Sequence, residues 1–345
     1  MVVGTTRGRL VIFIILFGSV IFGLMFARAA YRSKYLPREQ FIEKKLRVLT
    51  YSTFVSSSGP GPTIIESFQA ANNCKIEIIT AGDAGLLLER LKLAQAGGVP
   101  FDVIVGLDQL MLTDAKERFQ WKPLELNREG WRAEVSGHKH DEFAPFDWSP
   151  LTFVYRQGSV NPPKDFAGLT ATSLRGSFAL QDPRSSSPGM QFLNWVKAVK
   201  GADAVQFLQD FKPNVQSIAP SWSFSYGLFK KKQSMFAFTY VTSLAFHWGL
   251  ENDRQYQVLS LAEGHPVQIE YAAVPADCRE CDLATAFVKG MLTPEIQKVI
   301  MQKNFMLPIL KDLEAGTIFA DLPKLKIIET SNDKDFSDWD QVFKN

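Results

Sequence analysis

Apolar positions along the chain follow two alternating rhythms. Short β-branched or aromatic runs predict strands, and runs with apolar residues three and four apart predict helices. "LRVLTYSTF" reads as a strand opening into a loop. "GPGPTIIESFQAAN" then starts a helix behind prolines, which suit a first turn because their missing N–H would be unpaired there anyway. "CKIEIITAG" gives a second strand, Asp83 an N-cap, "AGLLLERLKLAQAG" a second helix and "FDVIVGLD" a third strand. This β-α-β-α-β order predicts a mainly parallel sheet with helices on both faces. Ligands of such sheets collect beyond the carboxyl ends of the strands, where this chain places Tyr51, Asp83 and Asp108.

The middle of the chain starts a second unit. "FAPFDWSPLTFVYRQG", residues 143–158, runs from an aromatic, proline-bearing segment into a strand, as expected of a crossing between lobes. "GSFALQDP" and "SMFAFTYVTS" add strands, and "GMQFLNWVKAV" and "ADAVQFLQDF" add helices. A return crossing falls in "LAEGHPVQIEYAAV", residues 261–274, ahead of helices in "CDLATAFVKGML" and "TPEIQKVIMQ". Two crossings predict two α/β lobes around a cleft, with lobe 1 formed by residues 46–147 plus 270–345 and lobe 2 by residues 148–269. Closure is expected about the strands near residues 148–155 and 263–271. With 345 residues, each lobe has enough chain to bury its own core.

The N-terminus bears on location. Arg7 and Arg9 precede an uncharged run over residues 10–27. Residues 1–30 are therefore either a cleaved signal peptide, with Ala27-Arg28-Ala29 as the small-x-small site, or an uncleaved membrane anchor. A polar linker follows over residues 31–45. Both readings put the body outside the cytoplasmic membrane, and with no cysteine near the segment a lipoprotein is excluded. In such an oxidising setting Cys278 and Cys281 are spaced to close a small disulfide, leaving Cys74 alone.

Charge and motifs narrow the function. Net charge is +2, but without Arg7, Arg9 and Arg28 the remainder carries −1, so there is no basic footprint for nucleic acid. The chain has no G-x-S-x-G, Walker loop, G-x-G-x-x-G or H-E-x-x-H. His138 and His140 supply too few ligands for a metal, and His247 and His265 are scattered singles. No enzyme, metal or cofactor is expected. In "QDPRSSSPGMQFLNWV" three serines stand at a helix start, either as an N-cap or as a seat for an anion. Aromatic residues recur at loop and strand ends, at Tyr51, Phe54, Trp148, Trp222, Tyr226, Tyr240 and Phe246. Each is core by default, but several beside acids suit a flat cationic ligand.

Taken together, "TYSTFVSSSGPGP", "GDAGLLLERL", "FDVIVGLD", "FAPFDW", "QDPRSSSPG", "PSWSFSYGLF", "TYVTSLAFH" and "LAEGHPVQIE" resemble, in order, the periplasmic thiamine-binding proteins of ABC importers. The resemblance covers about residues 47–310. It implies a two-lobed type II periplasmic-binding fold with a hinged cleft, and a monomer that carries thiamine or its phosphate esters to an ABC permease in the membrane. It further implies that Tyr51, Asp83, Ser185, Ser186, Trp222, Tyr240 and Phe246 line the cleft, the serines toward the ligand's hydroxyl or phosphate end and Asp83 with the aromatics toward its cationic rings. The chain departs from the family at Ser58 and Phe305, where Trp is usual, and at Phe246, where Tyr is usual. Two other readings remain. One is a related receptor for a polyamine or ferric iron, although Tyr240 lacks the adjacent Tyr that iron would want. The other is a thiamine-degrading enzyme on the same fold, which needs a nucleophilic Cys in the cleft, whereas Cys74 stands at the far end of its strand.

Overall fold

The structure, a computed structural model, describes residues 44–137, 140–331 and 334–344. The export segment, its cleavage site, nearly all of the linker and His138 lie outside the described residues. The first repeat forms as the pattern predicts: β1 (Lys44–Thr50), α1 (Gly61–Asn72), β2 (Cys74–Thr80), α2 (Leu87–Ala96) and β3 (Val103–Asp108). Strands β2, β1 and β3 are parallel neighbours in that order. Asp83 caps a short 3-10 turn, Ala84–Leu86, ahead of α2.

The next strand, β4 (Phe143–Arg156), is 14 residues long and almost wholly buried. After it come β5 (Phe178–Gln181), α3 (Ser187–Lys200), α4 (Ala204–Phe211), β6 (Val215–Ala219), α5 (Trp222–Lys230), β7 (Phe236–Tyr240) and β8 (Tyr256–Val258). The return segment forms β9 (Val267–Ala273), then α6 (Cys281–Gly290), α7 (Pro294–Asn304), β10 (Leu307–Pro308) and α8 (Ser337–Phe343). Cys278 and Cys281 form a disulfide at the start of α6, with Cα atoms 5.3 Å apart. Strand order is β2-β1-β3-β9-β4-β7-β5-β6. The sheet is mixed, not mainly parallel, because β4 and β9 run in opposite directions and pair antiparallel with each other and with β7 and β3.

Apolar side chains gather in two main clusters. Leu46, Val48, Leu87, Leu91, Val103, Phe143, Phe146 and Ile269 belong to the first, and Leu151, Phe153, Phe178, Phe192, Trp195, Phe238 and Leu261 to the second. Strand β4 therefore serves the first core up to Trp148 and the second from Leu151, while the return segment serves the second at Leu259 and Leu261 and the first from Ile269. The sequence reading gives residues 270–345 to the first lobe. The C-terminal helix α8 departs from this: Trp339 and Val342 pack in the second cluster, and Lys212 Nζ donates to Val342 O at 2.6 Å. Ile328 and Phe336, ahead of it in the chain, pack against the same cluster.

His265 pins the return crossing. It accepts from the Leu261 amide through Nε2 at 2.9 Å and lies 3.2 Å from Leu151 O through Nδ1, which places the proton on Nδ1. Burial pushes this imidazole down to about 4 from its usual 6.5. It stays neutral in the fold and protonates more readily in the unfolded chain, so its contribution is present above pH 6.5 and is lost as pH falls toward 4. Denaturant unfolding of the wild type and a His265→Gln variant at pH 7, 6 and 5 is expected to show a steeper acid loss in the wild type. Parallel pH profiles would refute this.

Candidate functional site

A cleft of about 860 Å³ lies among the loops after β1 and β2, the start of α5 and the end of α7. Tyr51, Asp83, Trp222, Tyr240 and Phe246 line it, as do Ser58, Gln268, Glu270, Asn304 and Phe305. Tyr51 follows β1 and is buried, with its hydroxyl donating to Glu270 Oε2 at 2.7 Å and accepting from Asn304 Nδ2 at 3.0 Å. Its ring stands over Gly106, where a Cβ would come within 2.4 Å of it. That glycine has φ of +103°, a left-handed conformation other residues rarely adopt, and it forms an irregularity in the β3 ladder.

The other aromatic wall is built on α5. Ser221 caps this helix by accepting from Phe224 N. Trp222, the first helical residue, stacks on Tyr226 with centroids 4.9 Å apart, and its indole N–H donates to Thr239 Oγ1 at 2.9 Å. Tyr240, at the end of β7, is 6.3 Å from Trp222. Burial, followed by repulsion from Glu270, raises its hydroxyl well above the usual tyrosine range, so it is neutral. Phe246 meets Phe305 edge to face at 5.4 Å and lies 4.5 Å beneath Lys230 Nζ. Two of the three departures from the expected aromatic pattern are thus neighbours in the cleft wall.

Asp83 has a different setting from the one its sequence position suggests. Its Oδ2 accepts from the Trp222 amide at 3.0 Å and from the Ser186 hydroxyl at 3.3 Å, and its Oδ1 accepts from the Gly85 amide at 3.5 Å. The Ser187 amide at the start of α3 also bonds to it. Burial raises its pKa above the usual carboxylate range, and these donors oppose that shift. The anion at the starts of α3 and α5 is therefore the protein's own carboxylate, as unpaired amides and aligned dipoles favour. Ser186 occupies the N-cap position of α3 without a side-chain cap bond, and Ser185 gives its hydroxyl to Pro220 O at 2.8 Å. Neither Ser185 nor Ser186 is among the residues lining the cleft, whereas Ser187 is. Gly85 packs so closely on this run that a Cβ there would meet Ser185 O at 2.6 Å.

Two acids that the sequence alone did not mark lie at and beneath the floor: Glu270 lines the cleft, and Asp147 is paired with it on the neighbouring strand. Glu270 is 4% exposed and Asp147 fully buried. Burial pushes Glu270 up to about 8, and burial together with Glu270 holds Asp147 well above the carboxylate range. Their signal in the sequence was a lone charge inside an apolar strand, in "VQIEYAAV" and "FAPFDW". Cys74 is buried at the start of β2, about 20 Å of extended chain from the cleft end of that strand. Among the described residues no three His, Cys, Asp or Glu side chains converge as metal ligands would.

Residues 56–306 match the family described as bacterial extracellular solute-binding protein. The chain belongs to that family. A thiamine-binding periplasmic protein of Brucella melitensis biotype 1 is 34% identical to this solute-binding protein over 266 residues, covering 76% of this chain and 79% of the relative. The thiamine-binding periplasmic protein of Salmonella typhimurium is 33% identical over 283 residues, covering 80% and 86%. A solved periplasmic thiamin binding protein superposes with a TM-score of 0.79 at 32% identity, covering 86% of this chain and 93% of the other. The solute-binding protein thus has the type II periplasmic-binding fold anticipated from its sequence.

Proposed function

We propose that this solute-binding protein is the extracytoplasmic receptor of an ABC importer, and that it binds thiamine or its phosphate esters in the cleft and delivers them to a membrane permease. The observation that carries this reading is the joining of aromatic walls to an acidic floor: Tyr51, Trp222, Tyr240 and Phe246 line one cavity together with Glu270. Flat rings and buried carboxylates suit a heteroaromatic cation, since aromatic faces and anions both attract positive charge. Similarity to thiamine-binding relatives over three quarters of the chain supports the same ligand. In this reading the protein is a periplasmic monomer that binds without chemistry. Its lobes divide near Trp148 and Ile269, with the C-terminal helix on the second lobe, and close about β4 and β9. Ser186 acts by holding Asp83, while Trp222 serves through its ring in the cleft and through its backbone amide at Asp83.

Calorimetry on the full chain against thiamine, thiamine monophosphate and spermidine tests the proposal. Micromolar or tighter binding of thiamine or its ester, with spermidine at least about tenfold weaker, is expected, because a flexible polyamine gains little from stacking. Spermidine binding as tightly as thiamine would assign the cleft to another cation.

A further inference from the structure

Glu270 is the middle member of a row of three carboxylates. The ladder pairs it with Asp108 on β3 and with Asp147 on β4. Both neighbours come into this register through an irregularity, between Val105 and Leu107 on β3 and between Pro145 and Asp147 on β4. Directly paired residues of an antiparallel ladder carry their side chains on one face, and like charges so placed repel. Such irregularities re-aim side chains and recur beside functional sites.

The donors around the row are unequal. Asp108 Oδ1 accepts from the Leu110 and Met111 amides at 2.9 and 3.2 Å, so it terminates β3 as a turn-forming acid. Glu270 and Asp147 take bonds from the neutral groups of Tyr51, Gln268 and Asn304, the last two at 3.1 Å to Glu270 Oε1 and 2.7 Å to Asp147 Oδ2. The titratable and charged groups that act on the pair are Tyr51 after β1, Asp83 after β2, Asp108 on β3 and Tyr240 on β7, and Tyr226 and Lys230 on α5 and Lys303 on α7 line the same cleft. The Lys303 ammonium is bonded to Thr63 Oγ1 at 2.7 Å. Asp108 Oδ2, Asp147 Oδ1 and Gln268 Oε1 have no hydrogen-bond partner, and of these residues Gln268, 1% exposed, lines the cleft beside Glu270. Acceptors left over in so buried a place point to a positively charged or donating group that completes them.

We propose that Asp147 and Glu270 share one proton in the empty cleft and release it to solvent when a ligand cation binds, so that this pair, and not Asp83, is the ligand's counter-charge. Charge balances: the pair carries −1 with its proton, and the ionised pair plus a monocation carries −1 again. The proton leaves a carboxyl O–H for water or buffer. Two carboxylates directly opposite on neighbouring strands and out of water cannot readily both ionise, and burial, which pushes Glu270 up to about 8, acts in the same direction. The inference rests on the cleft being the thiamine site and adds the group that reads the ligand's charge.

The test is calorimetry of the full chain with thiamine and with spermidine, at pH 6.5, 7.5 and 8.5, in buffers of different ionisation enthalpy. Thiamine is expected to release between about half and one proton near pH 7, with affinity rising up to about tenfold per pH unit and levelling above pH 8. Glu270→Gln and Asp147→Asn should each abolish the proton release and flatten the profile, with melting curves and near-ultraviolet dichroism confirming the fold. Should either fail to fold, the wild-type proton count decides alone. Thiamine binding with no proton released would overturn the inference and leave the thiamine reading intact. Proton-linked binding of spermidine with no binding of thiamine would do the reverse, and binding of neither cation would overturn both.

Discussion

Replacing Asp83 with alanine is expected to weaken thiamine binding by roughly 10- to 150-fold, the equivalent of about 1.5 to 3 kcal/mol for hydrogen bonds to a buried charge. Asp83 belongs to the loop after β2, next to first-core residues Ala84 and Leu87, yet its carboxylate is held by Ser186, Ser187 and Trp222 at the starts of α3 and α5. Losing it leaves the amides of Ser187 and Trp222 without an acceptor wherever the loop and helices meet. Since ligand affinity falls with the fraction of binding-competent protein, a less stable closed form appears as a weaker apparent constant. Asp83→Asn should lie between wild type and alanine, because it keeps an acceptor oxygen but loses the charge. Gly85→Ala should act in the same direction, by contact of its Cβ with Ser185 O. Calorimetry, with solution scattering at saturating thiamine, measures both affinity and compaction. Wild-type affinity in Asp83→Ala would remove the carboxylate from any role in closure.

Trp195→Ala should cost about 3 to 5 kcal/mol of folding stability, the usual range for a large aromatic removed from a packed core. The side chain is fully buried on α3, 4.8 Å from Phe166 and 5.8 Å from Phe238, and its N–H donates to Gly264 O at 2.9 Å. Truncation leaves a cavity and an unpaired carbonyl beside the return crossing, next to His265, whose ring is 5.3 Å away. The melting temperature should fall by roughly 2 to 4 °C per kcal/mol. Trp195→Phe should recover most of the packing but not the bond. A decrease of less than about 1 kcal/mol for the alanine variant would mean that the second core tolerates the cavity.

Much of the fold was legible along the chain because strand and helix periods are local. The alternation through "CKIEIITAG", "AGLLLERL" and "FDVIVGLD" gave β2, α2 and β3, and the aromatic, proline-bearing run from Phe143 gave the crossing strand. Cys278 and Cys281 were close enough in sequence for their pairing to be anticipated, and the ordered motifs pointed to the solute-binding family to which the chain belongs. Strand direction was less legible, since local periodicity is the same for parallel and antiparallel neighbours. The short strands β6 and β8 carried too few residues for a clear rhythm.

At the cleft, residue type left the aromatics at strand ends as core or ligand contacts, and the family resemblance selected Tyr51, Trp222, Tyr240 and Phe246, which line one cavity. It could not say where a serine hydroxyl would point. Ser185 and Ser186 have the composition of an anion seat, yet Asp83, about a hundred residues away in the chain, fills it. Nor could it show that Asp108, Asp147 and Glu270 fall in one row, because that depends on register and on two ladder irregularities. The sequence by itself determined the longer strands and helices, the two long segments that serve both cores and the family, all of which follow from local pattern and from ordered motifs. Only the tertiary structure decided which carboxylate is engaged by helix ends, which one lines the cavity with neutral donors, and which core takes the C-terminal helix. Those outcomes depend on distances between segments far apart in the chain, and a side chain's charge state and partners are set by what surrounds it after folding.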